Sequence, residues 1–122
     1  MFNRVVLVDK KNNVIGTEDK LEAHKKGSLH RAFSVFIFND KDEILLQKRS
    51  DSKYHSASLW SNTCCSHPYI DKSINEYANL RLVQEMGIKT NLIEVFSFIY
   101  KTNFENGLVE YEYDHVFFGK YN

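Results

Sequence analysis

Long apolar runs are missing from this chain of 122 residues, and with them any segment of the length that a membrane-spanning helix requires. The opening stretch, Met1 to Asp9, holds too short an apolar run for a secretory signal. Cysteine is scarce: the 2 present, Cys64 and Cys65, are chain neighbours, which excludes a conventional disulfide framework. Both thiols would stay reduced in the cytoplasm, where the protein is expected to reside. A charge excess of either sign is also missing, since 16 basic residues meet 16 acidic ones. That balance gives no bias toward nucleic acid or an anionic membrane, so any anion site must be local. Tryptophan occurs once, as Trp60. There is no repeat, no low-complexity tract and no linker, and residues 1–122 suit one domain with one core.

What is present reads as a mixed fold. Arg4 to Val8 is a short strand, Asn12-Asn13 a turn, and Lys20 to Lys26, closed by Gly27, a short helix. Phe33 to Phe38 reads as a buried strand, Asn39 to Asp42 as a turn and Ile44 to Arg49 as the returning strand of a hairpin. Ile74 to Met86 is the clearest helix: Ser73 with Glu76 makes a capping-box pattern and Gly87 ends it. Leu92 to Thr102 and Leu108 to Phe118 flank a turn with Asn106-Gly107, a long hairpin. The expected class is α/β in the α+β sense, a mixed β-sheet sandwich with flanking helices.

The chemistry concentrates in Trp60-Ser61-Asn62-Thr63-Cys64-Cys65-Ser66-His67-Pro68. In extended backbone, residues at i and i+2 share a face, so Cys65 and His67 point one way and Cys64 the other. Glu110 and Glu112 repeat that spacing in a run with strand-like alternation. With His24 and His30, the chain holds three imidazoles, two carboxylates and a thiol, enough for one metal and one acid/base couple. A lone histidine is ordinarily a surface or core residue, and a lone cysteine a small hydrophobe. His55 and His115 are read as structural.

These pieces, in this order, resemble the type I isopentenyl diphosphate isomerases, a family with the Nudix fold. The resemblance runs from Lys20 to Glu112. It implies a divalent metal (manganese, magnesium or zinc) held by His24, His30, His67, Glu110 and Glu112. It implies Cys65 and Glu112 as the acid/base pair on opposite walls of a pocket, with Tyr100 assisting the carboxylate. Glu85 resembles what remains of a Nudix box and would hold magnesium on the substrate diphosphate. Ser66, Lys72, Arg81 and Gln84 stand where that box has its first glycine and further acids, a depletion that argues against a Nudix hydrolase. Lys20, Arg49, Lys53 and Arg81 match positions that face the diphosphate, where a guanidinium suits bidentate binding.

The implied activity is interconversion of isopentenyl and dimethylallyl diphosphate in isoprenoid biosynthesis, on a small-molecule prenyl diphosphate with no nucleic-acid or membrane partner. Members of the resembled family continue through further strands, a helix and a substrate-facing tryptophan. Trp60 cannot be that residue, so the chain is expected to lack the family's C-terminal part. The rival readings are a Nudix hydrolase and a metal-holding domain without activity.

Overall fold

The computed structural model of the chain describes residues 3–48 and 60–122. Strands β1 (Arg4–Val8) and β2 (Val14–Asp19) form an antiparallel hairpin. Its turn is organised by Asp9, whose Oδ1 accepts from the backbone N–H groups of Lys11 at 2.8 Å and Asn13 at 3.0 Å. β2 was not anticipated, because its exposed residues lack a buried period. Helix α1 (Lys20–Lys26) follows, with the Asp19 carboxylate accepting from Glu22 N–H at its start. Gly27, at φ 72°, turns the chain back into β3 (His30–Phe38). Only glycine adopts that left-handed conformation at no steric cost.

β3 is the organising strand. β8 (Val109–Lys120) runs parallel to it over its whole length, and β7 (Ile93–Asn103) pairs antiparallel with β8. The sheet order is β2-β1-β3-β8-β7, with the short β6 (Cys64–Ser66) pairing with β3 beyond the end of β1. Helix α2 (Ile74–Met86) covers one face. It begins with the reciprocal Ser73–Glu76 capping box, both bonds at 3.1 Å. Its Ala78 and Leu82 pack on Phe33, Val35, Ile37, Cys64 and Phe117, all buried. At ~25 cal/mol per Å² of apolar surface, a fully buried Leu or Phe side chain here contributes about 1.5–3 kcal/mol before entropy is counted.

The strand expected over residues 44–49 does not form as one strand over residues 44–48, and Arg49 lies outside the described residues. Ile44 makes a single bridge to Phe38, and β4 (Gln47–Lys48) pairs instead with β5 (Trp60–Ser61) in a separate two-stranded sheet. Thr63 is the physical reason. Its hydroxyl accepts from Ile37 N–H at 3.0 Å and donates to Leu45 O at 2.5 Å, so it wedges between β3 and the returning chain. Past that wedge, β3 pairs with β6: Phe33, Ser34 and Val35 face Ser66, Cys65 and Cys64.

Candidate metal centre and adjoining cavity

The register of the sheet assembles the site on the face away from α2. His30 lies opposite Glu112 across β3–β8, and Glu112 lies opposite Tyr100 across β8–β7, giving one transverse row. The next row carries Ala32, Asp114 and Phe98, and the one after it Ser34, Val116 and Phe96. Cys65 faces Ser34 from β6. Strand alternation therefore puts Cys65 on this face and Cys64 in the core, where it is fully buried.

His24 reaches the row from α1 and His67 from the segment after β6. Ligand atoms of His24, His30, His67 and Glu112 all lie within 4.8 Å of one another. Glu112 Oε2 stands 2.8 Å from His67 Nε2 and 3.2 Å from His30 Nε2. The ring nitrogens on the far side are committed: His24 Nδ1–H donates to Lys20 O at 2.7 Å and His30 Nδ1–H to Ser28 O at 2.9 Å. Such bonds leave the Nε2 lone pair as the coordinating atom. In His30 that lone pair then faces a carboxylate oxygen, two acceptors that need a cation or a shared proton between them. Neighbouring ligands on a first-row ion, with bonds of about 2.0–2.2 Å, stand about 3 Å apart, which matches both contacts. The donor set fits a divalent metal.

The electrostatics suit the same role. Burial holds the His67 imidazole down at about 4, and burial likewise lowers His24, so both favour the neutral, ligating form. Burial works to raise Glu112, but hydrogen bonds and charge from His30 and His67 prevail and hold it well below the usual carboxylate range.

Of the expected ligands, Glu110 is the one not in this four-residue group. It joins through Tyr100, whose hydroxyl lies 2.5 Å from Oε1 of Glu110 and 2.5 Å from Oε1 of Glu112. Burial, then the two carboxylate charges, push the Tyr100 phenol far up, so it stays a donor. Cys65 and Glu112 rise from β6 and β8, the strands flanking β3, on one face of the sheet.

Glu85 sits apart, near the Cys64 thiol on the α2 side of β6. It accepts from Arg81 at 2.8 Å and from Gln47 at 3.2 Å. Arg81 also donates to Gln84 Oε1 at 2.6 Å. Lys20, half-buried at the start of α1, is close enough for its charge to act on His24 and His67. Arg49, Lys53 and His55 lie outside the described residues. His115 is buried on the other face, paired with Glu94 at 2.8 Å.

Beside the metal group, β7 and β8 wall a cavity of about 600 Å³. Phe36, Phe96, Phe98, Tyr100 and Val116 make it largely apolar, and Ser34 and Asp114 add a polar patch. Asp114 Oδ2 accepts from the Ser34 hydroxyl at 2.7 Å. Burial, with the Glu112 and Glu110 charges, pushes its carboxyl up to about 7 against the pull of Ser34. Sequence reasoning missed this pair. The signal available was the continued alternation Glu110, Glu112, Asp114, which puts three carboxyls on one face. No helix among the described residues is long and apolar enough to cross a membrane.

Comparison with known proteins accords with this geometry. The NUDIX domain family matches residues 28–122. Isopentenyl-diphosphate Delta-isomerase 1 of Aromatoleum aromaticum is 52% identical over 122 residues, which cover all of this chain and 69% of that protein. Isopentenyl-diphosphate Delta-isomerase 2 of Photorhabdus laumondii is 52% identical over 118 residues, 97% of this chain and 67% of its own. With a second Aromatoleum isomerase covered to 65%, the chain spans about two thirds of the length of the curated relatives it matches. Among solved structures, a Deinococcus radiodurans protein superposes with a TM-score of 0.77 at 14% identity, covering 98% of this chain and 72% of its own, a likeness of fold. A MutT protein from Methanosarcina mazei gives 0.60 at 24% identity, over 77% and 65%. The depleted acidic helix, the three-histidine, one-carboxylate group and these matches converge: the chain belongs to the Nudix family and, within it, to the isopentenyl-diphosphate Delta-isomerases.

Proposed function

We propose that this chain carries the site that interconverts isopentenyl and dimethylallyl diphosphate. The observation that carries the reading is the convergence of His24, His30, His67 and Glu112 beside an apolar cavity, with Tyr100 bridging the two. Moving the double bond requires a proton delivered to the terminal alkene carbon, which leaves a positive charge on the tertiary carbon. A second proton is then removed from the allylic carbon next to the ester, so that atoms and charge balance. Cys65 and Glu112 are the acid/base groups, and Tyr100 donates to Glu112 to hold its carboxylate in one orientation. A divalent metal at His24, His30, His67 and Glu112 supplies fixed positive charge that tunes the proton affinity of Glu112. Glu110 steadies the same centre through Tyr100. Arg81 and Lys20, with Arg49 and Lys53, neutralise the diphosphate, and Glu85 holds the magnesium that accompanies it. The apolar walls of the cavity take the five-carbon chain.

The test is incubation of the chain with isopentenyl diphosphate, manganese and magnesium in heavy water. Deuterium in the methyl groups of dimethylallyl diphosphate is the expected result. Release of phosphate without isomerisation would favour a hydrolase instead.

A further inference from the structure

The cavity beside the metal group is larger than a five-carbon chain. At about 30 Å³ for a water-sized group, five carbons fill roughly a quarter of the 600 Å³ walled by Phe36, Phe96, Phe98 and Val116. On the same face of the sheet, further from the metal group, lies a second cavity of about 590 Å³, with Phe38, Phe118, Ile93 and Val95 as its apolar walls. A β-bulge joins the two. β7 pairs Glu94 with Phe117 and Phe96 with Val116, which leaves Val95 as the extra residue. In regular alternation Val95 would turn to the opposite face. The bulge re-aims it, so that the chain neighbours Val95 and Phe96 line the second and first cavities side by side.

Phe118 stands between the cavities, its ring 5.9 Å from that of Phe36 in the first wall and 5.1 Å from that of Phe38 in the second. It is 37% exposed, a ridge in the floor rather than a closed partition. Beyond it the floor turns polar: Thr90 and Asn91 line the far end, and the Thr90 hydroxyl donates to Lys120 O at 2.6 Å. From Glu112 to Phe118 the face runs on the order of 20 Å, at 3.3 Å per residue. Ile93 and Val95 stand in water there, where an apolar tail would cover them.

We propose that the two cavities form one trough for a prenyl diphosphate of ten carbons or more, whose tail crosses Phe118 into the second cavity. The proposal rests on the isomerisation reading for the head, since the diphosphate and first five carbons lie where isopentenyl diphosphate would. The longer ester therefore excludes the five-carbon one. No bond is made or broken.

The test measures binding of geranyl diphosphate, a ten-carbon ester, and of dimethylallyl diphosphate by calorimetry with manganese and magnesium present. The ten-carbon ester should bind at least about tenfold more tightly, for the added apolar surface it buries, and saturating dimethylallyl diphosphate should compete with it. Val95→Asp places a charge in the second cavity at an exposed position. It should remove most of the preference and leave dimethylallyl diphosphate bound within about twofold of the unaltered chain. Ile93→Asp, at another exposed position on the same cavity, should do the same. Equal affinity of the unaltered chain for the two esters overturns the proposal, as does simultaneous binding of both. A preference that survives both variants, or an equal loss of both esters in each, overturns it too. Failure of the unaltered chain to bind either ester would instead sink the diphosphate reading itself, and the trough with it.

Discussion

The Tyr100 hydroxyl and the Glu112 carboxylate meet at 2.5 Å across the β7–β8 ladder, and Glu110 Oε1 is equally close to the same hydroxyl. One proton serves two acceptors, so Tyr100 is what allows two carboxylates to stand together. Replacing it with phenylalanine removes the donor and keeps the ring. Turnover should fall by about 10- to 100-fold, while the metal concentration for half-maximal rate shifts by less than about threefold. Rates measured across a metal titration check this, and an unchanged maximal rate would take Tyr100 out of the chemistry.

Cys64 and Cys65 are neighbours with opposite fates. Cys64 is buried among Leu82, Ala78 and Phe33, and burial pushes its thiol far up. It should resist alkylation in the folded protein, and Cys64→Ala should cost about 1 kcal/mol with turnover retained. Cys65, half-buried on the face of His67, should be the residue an alkylating reagent modifies, and Cys65→Ala should abolish isomerisation with the fold intact. Mass spectrometry after brief alkylation separates the two, and preferential labelling of Cys64 would reverse their assigned roles.

His67 supplies a pH prediction for the metal-stripped chain. Its folded value is about 4 against an ordinary 6.5, so between those limits the unfolded state binds more protons and stability rises with pH. His24 shifts in the same direction. Glu112, held well below 4.5 in the folded chain, adds its own loss as pH falls through about 4.5, where the unfolded carboxylate begins to take up protons. The urea midpoint, measured with a chelator present, should fall progressively from pH 6.5 to pH 4. A His67→Asn variant should show a flatter decline, and an identical slope would refute the assignment. Metal added near pH 7 should raise the midpoint, since it binds only the folded site.

The parts of this molecule legible in sequence were those that depend on short range. The capping box at Ser73 and Glu76, the glycine after each helix and the i, i+2 pairs at Cys65/His67 and Glu110/Glu112 all declare themselves within a few residues. The spread of Thr63 across two backbone groups was not legible, because Ile37 and Leu45 are brought to it only by the fold. Ser34 and Asp114 are 80 residues apart, and nothing local to either foretells the bond. The separation of Glu110 from the four-residue metal group has the same origin. Spacing gave both glutamates one face, but the register put Tyr100 opposite Glu112 and left Glu110 beside Thr102.

Gly27 joins the fold to the site. At φ 72° it ends α1 and returns the chain to His30, and a Cβ there would lie 3.3 Å from Val109 Cγ1. Gly27→Ala therefore combines left-handed strain with crowding against β8, for a loss of about 1–2 kcal/mol. Since His24 and His30 flank this turn, metal affinity should weaken along with the melting temperature. Metal titration of the folded variant should expose that coupling, and a destabilised protein with native metal affinity would show that the turn does not position the histidines.

Glu110 and Glu112 share a face and a tyrosine, yet the geometry gives them different work. Glu112 Oε2 stands among the histidine nitrogens, whereas Glu110 reaches the centre through Tyr100. Glu112→Gln keeps a weak oxygen ligand but removes the carboxylate that accepts and returns a proton. Its maximal rate should fall by several orders of magnitude and stay low at any metal concentration. Glu110→Gln leaves all four ligand atoms in place and alters only the partner of the Tyr100 hydroxyl, so its deficit should be about tenfold or less, and excess metal should recover part of it. Turnover against metal concentration for both variants decides the matter. Full rescue of Glu112→Gln by metal would reduce that residue to a ligand, and the proton would have to come from Tyr100.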